Sequence, residues 1–362
     1  MAKKKIKVKV RRRKVKNTTV RPSSIIIPST ELQTIGVHKL QDYMTCDRLF
    51  FWKWVMNIIP RKVNIAFWFG SIAHYGFELF VKGKSIKFIE KALRKFSKEY
   101  LKPYEVDAIM RPEVEIQLEI VILMVKVYLK LYGKKQLKFI ITHTEVRFAV
   151  KLQLSPVLFI GMIDSYGKKG VNFLMPEYKT ASRIDNEYFK RLVFDKQLNG
   201  YAIGLRDIVG KFPQKSPYIV LRKPSIRVKQ TETTEEFLER LNEDLHKRRE
   251  WYFIHEMFTF GKKNVEAVFQ DIEIKTRDLW LKFDCADDEE LLNPMTWARN
   301  DRACFNYGVC PYFMLCKNCH NYPLYLKFYM MREIRYEEEK AELNHKLKYS
   351  TVRKGKLAMR KE

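Results

Sequence analysis

Apolar and polar residues change rhythm along this chain, and the expected elements follow the changes. Over residues 37–57 apolar and aromatic positions, among them Phe50, Phe51, Trp52 and Trp54, predict one helix. A second helix is expected over 65–81, with Gly70 and His74 one turn apart on one face. Residues 85–100 and 113–132 alternate charged and apolar positions at helical spacing. From Lys138 the pattern changes, and the run through Glu145 to Val150 reads as a strand. Two more apolar runs, 157–163 and 171–175, read as strands that deliver Asp164 and then Glu177 and Lys179. Helical spacing returns over 185–205, followed by a short apolar strand at 218–222. A long helix is expected over 234–258, opening with Thr-Glu-Glu, acids suited to a helix N-terminus. No repeat is visible, and the sum is an α/β core with a large helical elaboration.

The ends of the two central strands carry the candidate chemistry. Alternate side chains of a strand share a face, so Glu177 and Lys179 project together while Tyr178 points away. If the strands pair as a hairpin, Asp164, Glu177 and Lys179 converge. Two carboxylates suit a hard divalent cation, and a nearby lysine suits the orienting of a water. That combination fits phosphodiester hydrolysis. An Asp followed, after twelve intervening residues, by Glu-x-Lys also arises in solvated hairpins as a surface ion pair. Here each polar group ends an apolar strand, and Gln197 and Tyr201 follow at i and i+4 on one helix face.

Charge says what such a site would meet. The 362 residues hold 69 Lys and Arg against 42 Asp and Glu, a net charge of +27. Such an excess favours nucleic acid or an anionic surface as partner. No apolar stretch of about eighteen residues predicts a spanning helix, and Met1-Ala-Lys-Lys-Lys lacks a secretory apolar core, so a cytoplasmic protein without a membrane role is expected. Residues 1–30, with eleven Lys and Arg up to Arg21, read as a disordered basic arm. Residues 31–325 read as one domain, and 326–362 as a C-terminal helix and basic tail. The aromatic runs Phe67-Trp68-Phe69 and Trp251-Tyr252 suit either base stacking or core packing.

Four of six cysteines, Cys304, Cys310, Cys316 and Cys319, crowd into sixteen residues, while Cys285 stands apart. In a reducing compartment they suit metal better than disulfides. Four thiolates would hold Zn²⁺ or a cubane iron–sulfur cluster, although the spacings are loose for a zinc finger. A cluster that binds no metal is the remaining reading.

Four short motifs occur in order: Gly70-x-x-x-His74, Gly161-x-x-Asp164, Glu177-x-Lys179 and Gln197-x-x-x-Tyr201. Together they resemble the PD-(D/E)XK nuclease superfamily, specifically its RecB-like branch, over roughly residues 40–320. The resemblance implies a restriction-endonuclease-like core, a central mixed sheet flanked by helices. It implies that Asp164, Glu177, the backbone carbonyl of Tyr178 and His74 hold Mg²⁺ or Mn²⁺. Lys179 would orient the attacking water and stabilise developing charge, with Gln197 and Tyr201 positioning the substrate and that lysine. AddB-type and CRISPR-adaptation members carry a 4Fe–4S cluster on one early and three late cysteines. By resemblance these are Cys46 with Cys304, Cys310 and Cys316, Cys319 being a possible substitute, and Zn²⁺ stays the alternative. The implied activity is that of a metal-dependent exonuclease on single-stranded DNA or duplex ends, in recombination, repair or phage DNA metabolism. No G-x-x-x-x-G-K-[ST] motif is present, so unwinding would need a helicase or recombination partner. A non-catalytic nucleic-acid-binding scaffold and an RNA endonuclease are the alternatives.

Overall fold

The computed structural model describes residues 30–136, 140–306 and 308–332. The basic arm, apart from Thr30, and the tail beyond 332 lie outside the described residues. Strand β1 (Thr34–Ile35) leads into helices α1 (Val37–Thr45) and α2 (Asp47–Phe50) and a π-helical turn at Phe51–Val55. The single helix expected over 37–57 is thus broken at Cys46, whose extended backbone (φ −169°, ψ 122°) ends α1 and starts α2. Beyond the break, consecutive Phe50, Phe51 and Trp52 are all fully buried, so this short helical stretch is packed on more than one face. After β2 (Ile58–Pro60) comes α3 (Ile65–Val81), capped by Asn64, whose Oδ1 accepts from the Ala66 and Phe67 N–H groups. Helices α4 (Ile86–Leu101) and α5 (Arg111–Gln136) complete a helical front close to the expected one.

The sheet strands follow as β3 (Ile140–Lys151), β4 (Leu158–Lys169), β5 (Asn172–Leu174) and β6 (Glu177–Ala181). Strand β3 runs antiparallel to β4, pairing Phe148 with Gly161 and Val146 with Ile163. Helix α6 (Lys196–Val209) starts later than expected, because Asp195 caps it and a 3₁₀ turn at Lys190–Phe194 precedes it. Strand β7 (Lys215–Arg222) follows, and then α7 (Thr234–Lys247), opened by a Thr233–Glu236 capping box. The long helix expected over 234–258 ends at Lys247. One turn, α8 (Arg249–Tyr252), passes to β8 (Phe253–Thr259), which pairs antiparallel with β7. Helices α9 (Lys262–Cys285), α10 (Asp288–Leu292) and α11 (Phe313–Lys317) precede β9 (Tyr329–Met331), antiparallel to β2.

The expected hairpin between the strands of Asp164 and Glu177 is corrected in one respect. Strand β4 forms its hairpin with β5, through Gly167–Lys169, and that ladder stops short of Asp164. Glu177 lies on the separate strand β6, beyond Pro176, and β6 pairs parallel with β7 from Glu177–Tyr218 to Ala181–Arg222. Proline has no N–H to continue a ladder, so the run 172–181 divides at that point. Among the described residues β4 and β6 share no ladder, and the functional groups meet across the space between them.

The result is a mixed sheet flanked by helices, with one apolar core on each face. Along β7, Tyr218 and Val220 enter one core while Ile219 and Leu221 enter the other. The first core also holds α6, α9 and the Trp52–Trp297 region; the second holds α3, α5 and α7. This period-two alternation on a strand buried on both faces fixes the register of everything β7 carries. No described helix is long and apolar enough to cross a membrane.

Candidate active site

The site is built where β6, β4, α3 and α6 approach one another. Paired with Tyr218 and Val220, Glu177 and Lys179 share one face of β6, while the Tyr178 ring turns to the other and stacks on Phe77 at 4.4 Å. Glu177 is 2% exposed, and its Oε1 lies 2.6 Å from Lys179 Nζ. Lys179 Nζ donates to Gln197 Oε1 at 2.7 Å, and Gln197 Nε2 donates to Tyr201 Oη at 3.4 Å. Gln197 therefore holds the lysine, and Tyr201, one turn on along the same helix face, holds Gln197.

Two glycines permit this assembly. A methyl group on Gly161 would meet Phe148 Cζ at 2.5 Å and Tyr201 Cε1 at 3.0 Å, so the bare backbone there lets the Tyr201 ring lie down. A methyl on Gly70 would meet Thr180 Oγ1 at 3.3 Å, so Gly70 lets α3 settle on β6. One turn further along α3, His74 Nδ1 reaches to 3.4 Å from Asp164 Oδ2. Asp164, His74, Lys179 and Gln197 line a single cavity of about 940 Å³.

Electrostatics divides the two carboxylates. Burial opposes ionisation of both. For Asp164 the hydrogen bond and charge of His74, together with Lys179, outweigh burial and pull its pKa down. For Glu177 burial wins and the Asp164 charge adds to it, so its pKa rises despite Lys179. Lys179 is also buried, but Glu177, then Asp195 and Asp164, hold it protonated with a raised pKa. Two carboxylates that repel each other in a buried place, with one oxygen, Glu177 Oε1, receiving no well-directed hydrogen bond, suit a hard divalent cation. Among the described residues no group of three or more His, Cys, Asp and Glu side chains forms a ready-made metal site, so the fit rests on that donor chemistry.

The cavity also contains groups that motif spacing did not single out. His38, on α1, lines it and has a pKa pushed down to about 4, by burial first and then by Lys179 and Lys53. Glu78, one turn beyond His74, has a raised pKa from burial and from the Glu145 and Asp164 charges, offset in part by Lys82. Glu145 lines the cavity and pairs with Lys82 at 2.9 Å, which also holds Glu78. Its φ of 51° places it in the left-handed region inside a strand. Lys223, just past β7, completes the wall. His38, Glu78 and Lys223 had no sequence signal, and only tertiary pairing brings them here. Of the aromatic runs, Trp68, Phe69 and Tyr252 are core, whereas Phe67 is 68% exposed and Trp251 packs under the Arg222 guanidinium at 4.4 Å.

The cysteines gather away from this cavity. Cys46 Sγ accepts the Asn300 N–H at 3.3 Å, and Cys316 Sγ accepts Trp52 Nε1–H at 3.3 Å. Burial raises the pKa of Cys304, Cys310 and Cys316, the last to about 11. In each of the three the charge of Cys46 adds to the rise, so these four thiols lie within electrostatic reach of one another. Cys319 opens the next 3₁₀ segment (Cys319–Phe328), and Cys285 is exposed at the end of α9.

A solved structure named "Putative exonuclease", from Eubacterium rectale, is 12% identical, with 77% of this chain and 90% of that chain covered and a TM-score of 0.38. No match was found among curated proteins. The sequence model described as the PD-(D/E)XK nuclease superfamily matches residues 34–317, which include every residue of the cavity. With that match spanning most of its length, and with Asp164 and Lys179 on one cavity and Glu177 paired to Lys179 behind it, the chain belongs to the PD-(D/E)XK nuclease superfamily.

Proposed function

We propose that the protein is a divalent-metal-dependent deoxyribonuclease of the RecB-like branch, an exonuclease acting on single strands or duplex ends. The observation that carries this reading is the chain of contacts from Glu177 through Lys179 to Gln197, facing Asp164 and His74 across one cavity. Asp164, Glu177, the Tyr178 carbonyl and His74 are the groups that would hold Mg²⁺ or Mn²⁺. The bound cation would supply Lewis acidity and neutralise charge on the scissile phosphate. Lys179 stays protonated, so it serves as a donor rather than a base. An ammonium has three N–H groups; one goes to Gln197, its charge pairs with Glu177, and N–H remains for the cavity. The cavity-facing N–H orients the attacking water and stabilises the charge that develops on phosphorus-bound oxygen. Neutral His38 adds no charge beside Lys179.

The cysteine quartet belongs to the same reading. Four thiols whose ionisation is resisted by burial and by one another suit a cation that would hold them as thiolates. We assign Cys46, Cys304, Cys310 and Cys316 to a 4Fe–4S cluster, with Zn²⁺ as the alternative occupant. Iron, sulfide and zinc contents and the visible absorption of anaerobically purified protein decide between them, and stoichiometric zinc without iron ends the iron–sulfur assignment.

The activity itself is tested with end-labelled and internally labelled single-stranded DNA, duplex DNA and RNA, in Mg²⁺ or Mn²⁺. The expected outcome is shortening of DNA from its ends, with Asp164→Ala and Lys179→Ala at least a hundredfold slower. Cleavage of RNA alone would replace the DNA reading. Undiminished cleavage by Asp164→Ala would move the chemistry to another site.

A further inference from the structure

We propose that Lys223 and Phe67 form a subsite for an unpaired nucleotide beside the scissile phosphate, the ammonium taking a strand phosphate and the ring a base. The proposal rests on the nuclease reading for the nature of its ligand, and on the following geometry for its place.

Lys223 is fixed from three sides. Its N–H donates to the Ala181 carbonyl at 2.8 Å, which sets it beside the end of the strand that carries Glu177 and Lys179. Its Nζ donates to the Ala66 carbonyl at 3.3 Å, on the first turn of α3, and lies 4.5 Å over the buried Phe69 ring. Its side chain lines the same cavity as Asp164. Among the described residues no Asp or Glu forms an ion pair with it, and burial alone brings its pKa down to about 8. A half-buried cation held in place without a counter-ion is unfavourable unless an anion arrives. In a nuclease cavity that anion is a phosphate.

Phe67 supplies the second observation. Its neighbours Trp68 and Phe69 are 0% and 1% exposed and fill the core, but Phe67 is 68% exposed on the cavity wall. Core packing therefore does not account for it, and an exposed ring beside a cation is the pairing that holds an unstacked base and its phosphate. The α3 residues on the cavity, Phe67, Ser71, His74 and Glu78, recur every three or four positions and form one stripe. Phe67 and His74 are separated by ~10 Å of helix rise. At the far end of that stripe Lys82 is already matched by Glu78 and Glu145, so Lys82 offers a phosphate no unmatched charge. The strand is therefore drawn toward the Lys223 end.

The test measures binding apart from cutting. Fluorescence anisotropy of labelled oligothymidylate is followed against salt for the Asp164→Ala protein, alone and combined with Lys223→Met, Lys223→Arg or Phe67→Ala. Lys223→Met is expected to weaken binding about tenfold at low salt and to reduce the slope of log K against log [salt] by ~0.7, one single-strand phosphate. Lys223→Arg keeps the slope. Phe67→Ala is expected to weaken single-strand binding about fivefold or more with the slope unchanged, and to leave blunt-duplex binding unaltered. Circular dichroism confirms that each variant is folded. An unchanged salt slope in folded Lys223→Met overturns the phosphate contact, and equal loss on single strand and duplex in Phe67→Ala overturns the stacking contact. Because these are binding measurements, they stand or fall separately from whether the intact protein cleaves.

Discussion

Lys179 and Lys223 are both half-buried lysines on one cavity, yet their surroundings send them in opposite directions. Lys179 has Glu177 at 2.6 Å and a raised pKa; Lys223 has burial alone and a pKa near 8. Removing Gln197 tests how far the first depends on its support. Gln197→Ala should lower kcat by about ten- to a hundredfold with little change in substrate affinity, because the ammonium loses the group that aims it. For Lys223 the unfolded chain binds more protons between pH 8 and 10.5, so stability should rise with pH across that window. Below pH 8 the penalty of burying the charge is complete. Lys223→Met should therefore raise the melting temperature by a few degrees at pH 7, and the gain should shrink toward pH 10.5. A thermal-unfolding series of both proteins at pH 7, 9 and 10.5 checks this; a constant difference contradicts it. At this scale the sequence was readable where chemistry comes in spaced pairs, such as Glu177 with Lys179 or Gln197 with Tyr201. It was silent for Lys223 and His38, single residues whose meaning comes only from what folds against them.

Elements were legible in kind more than in extent. The helical front, the strands at 157–163 and 218–222 and the helix bearing Gln197 all exist near their expected places. Errors arose where a local stop overrode a periodic pattern. Asp195 delays α6, Cys46 breaks the first helix, and β8 takes over from α7 because β7 presents it a free edge. Pro176 separates β5 from β6 and hands Glu177 to β7 rather than to a hairpin with β4. Asp164 on β4 and Lys179 on β6 nevertheless line one cavity. What holds them in reach is the close packing of β3, β4 and α6 around Gly161. Gly161→Ala should destabilise the fold by ~1–3 kcal/mol through overpacking against Phe148. It should also displace Tyr201 and so lower activity. Gly70→Ala, with its nearest clash at 3.3 Å to a hydroxyl, should be milder. Urea unfolding of the two variants beside the parent gives the order, and equal midpoints would show that Gly161 is not a packing constraint.

Across the whole molecule, residues from opposite ends of the domain hold one another. Arg48 Nε donates to the Trp297 carbonyl at 2.9 Å, Tyr312 Oη donates to the Ile58 carbonyl at 2.7 Å, and β2 pairs with β9. Phe50 stacks on Trp297 at 5.7 Å in the same region. The cysteine quartet joins this seam, since Cys46 accepts from Asn300 and shares charge with Cys304, Cys310 and Cys316. A metal centre linking Cys46 to Cys304 would close a loop of more than 250 residues, and on loop-closure entropy alone such a link is worth about 5 kcal/mol at most. The nuclease cavity has none of these cysteines on its walls. Stability and chemistry should therefore separate. On the proposed assignment Cys46→Ser should fail to hold the metal, unfold at a lower temperature and become sensitive to limited proteolysis around 298–319. At a temperature where it stays folded, its rate on single-stranded DNA should remain within about threefold of the parent. A variant that loses its metal but melts with the parent would mean that the seam is held by its aromatic packing and hydrogen bonds alone. A variant that stays folded but inactive would tie the cluster to the chemistry instead of the scaffold.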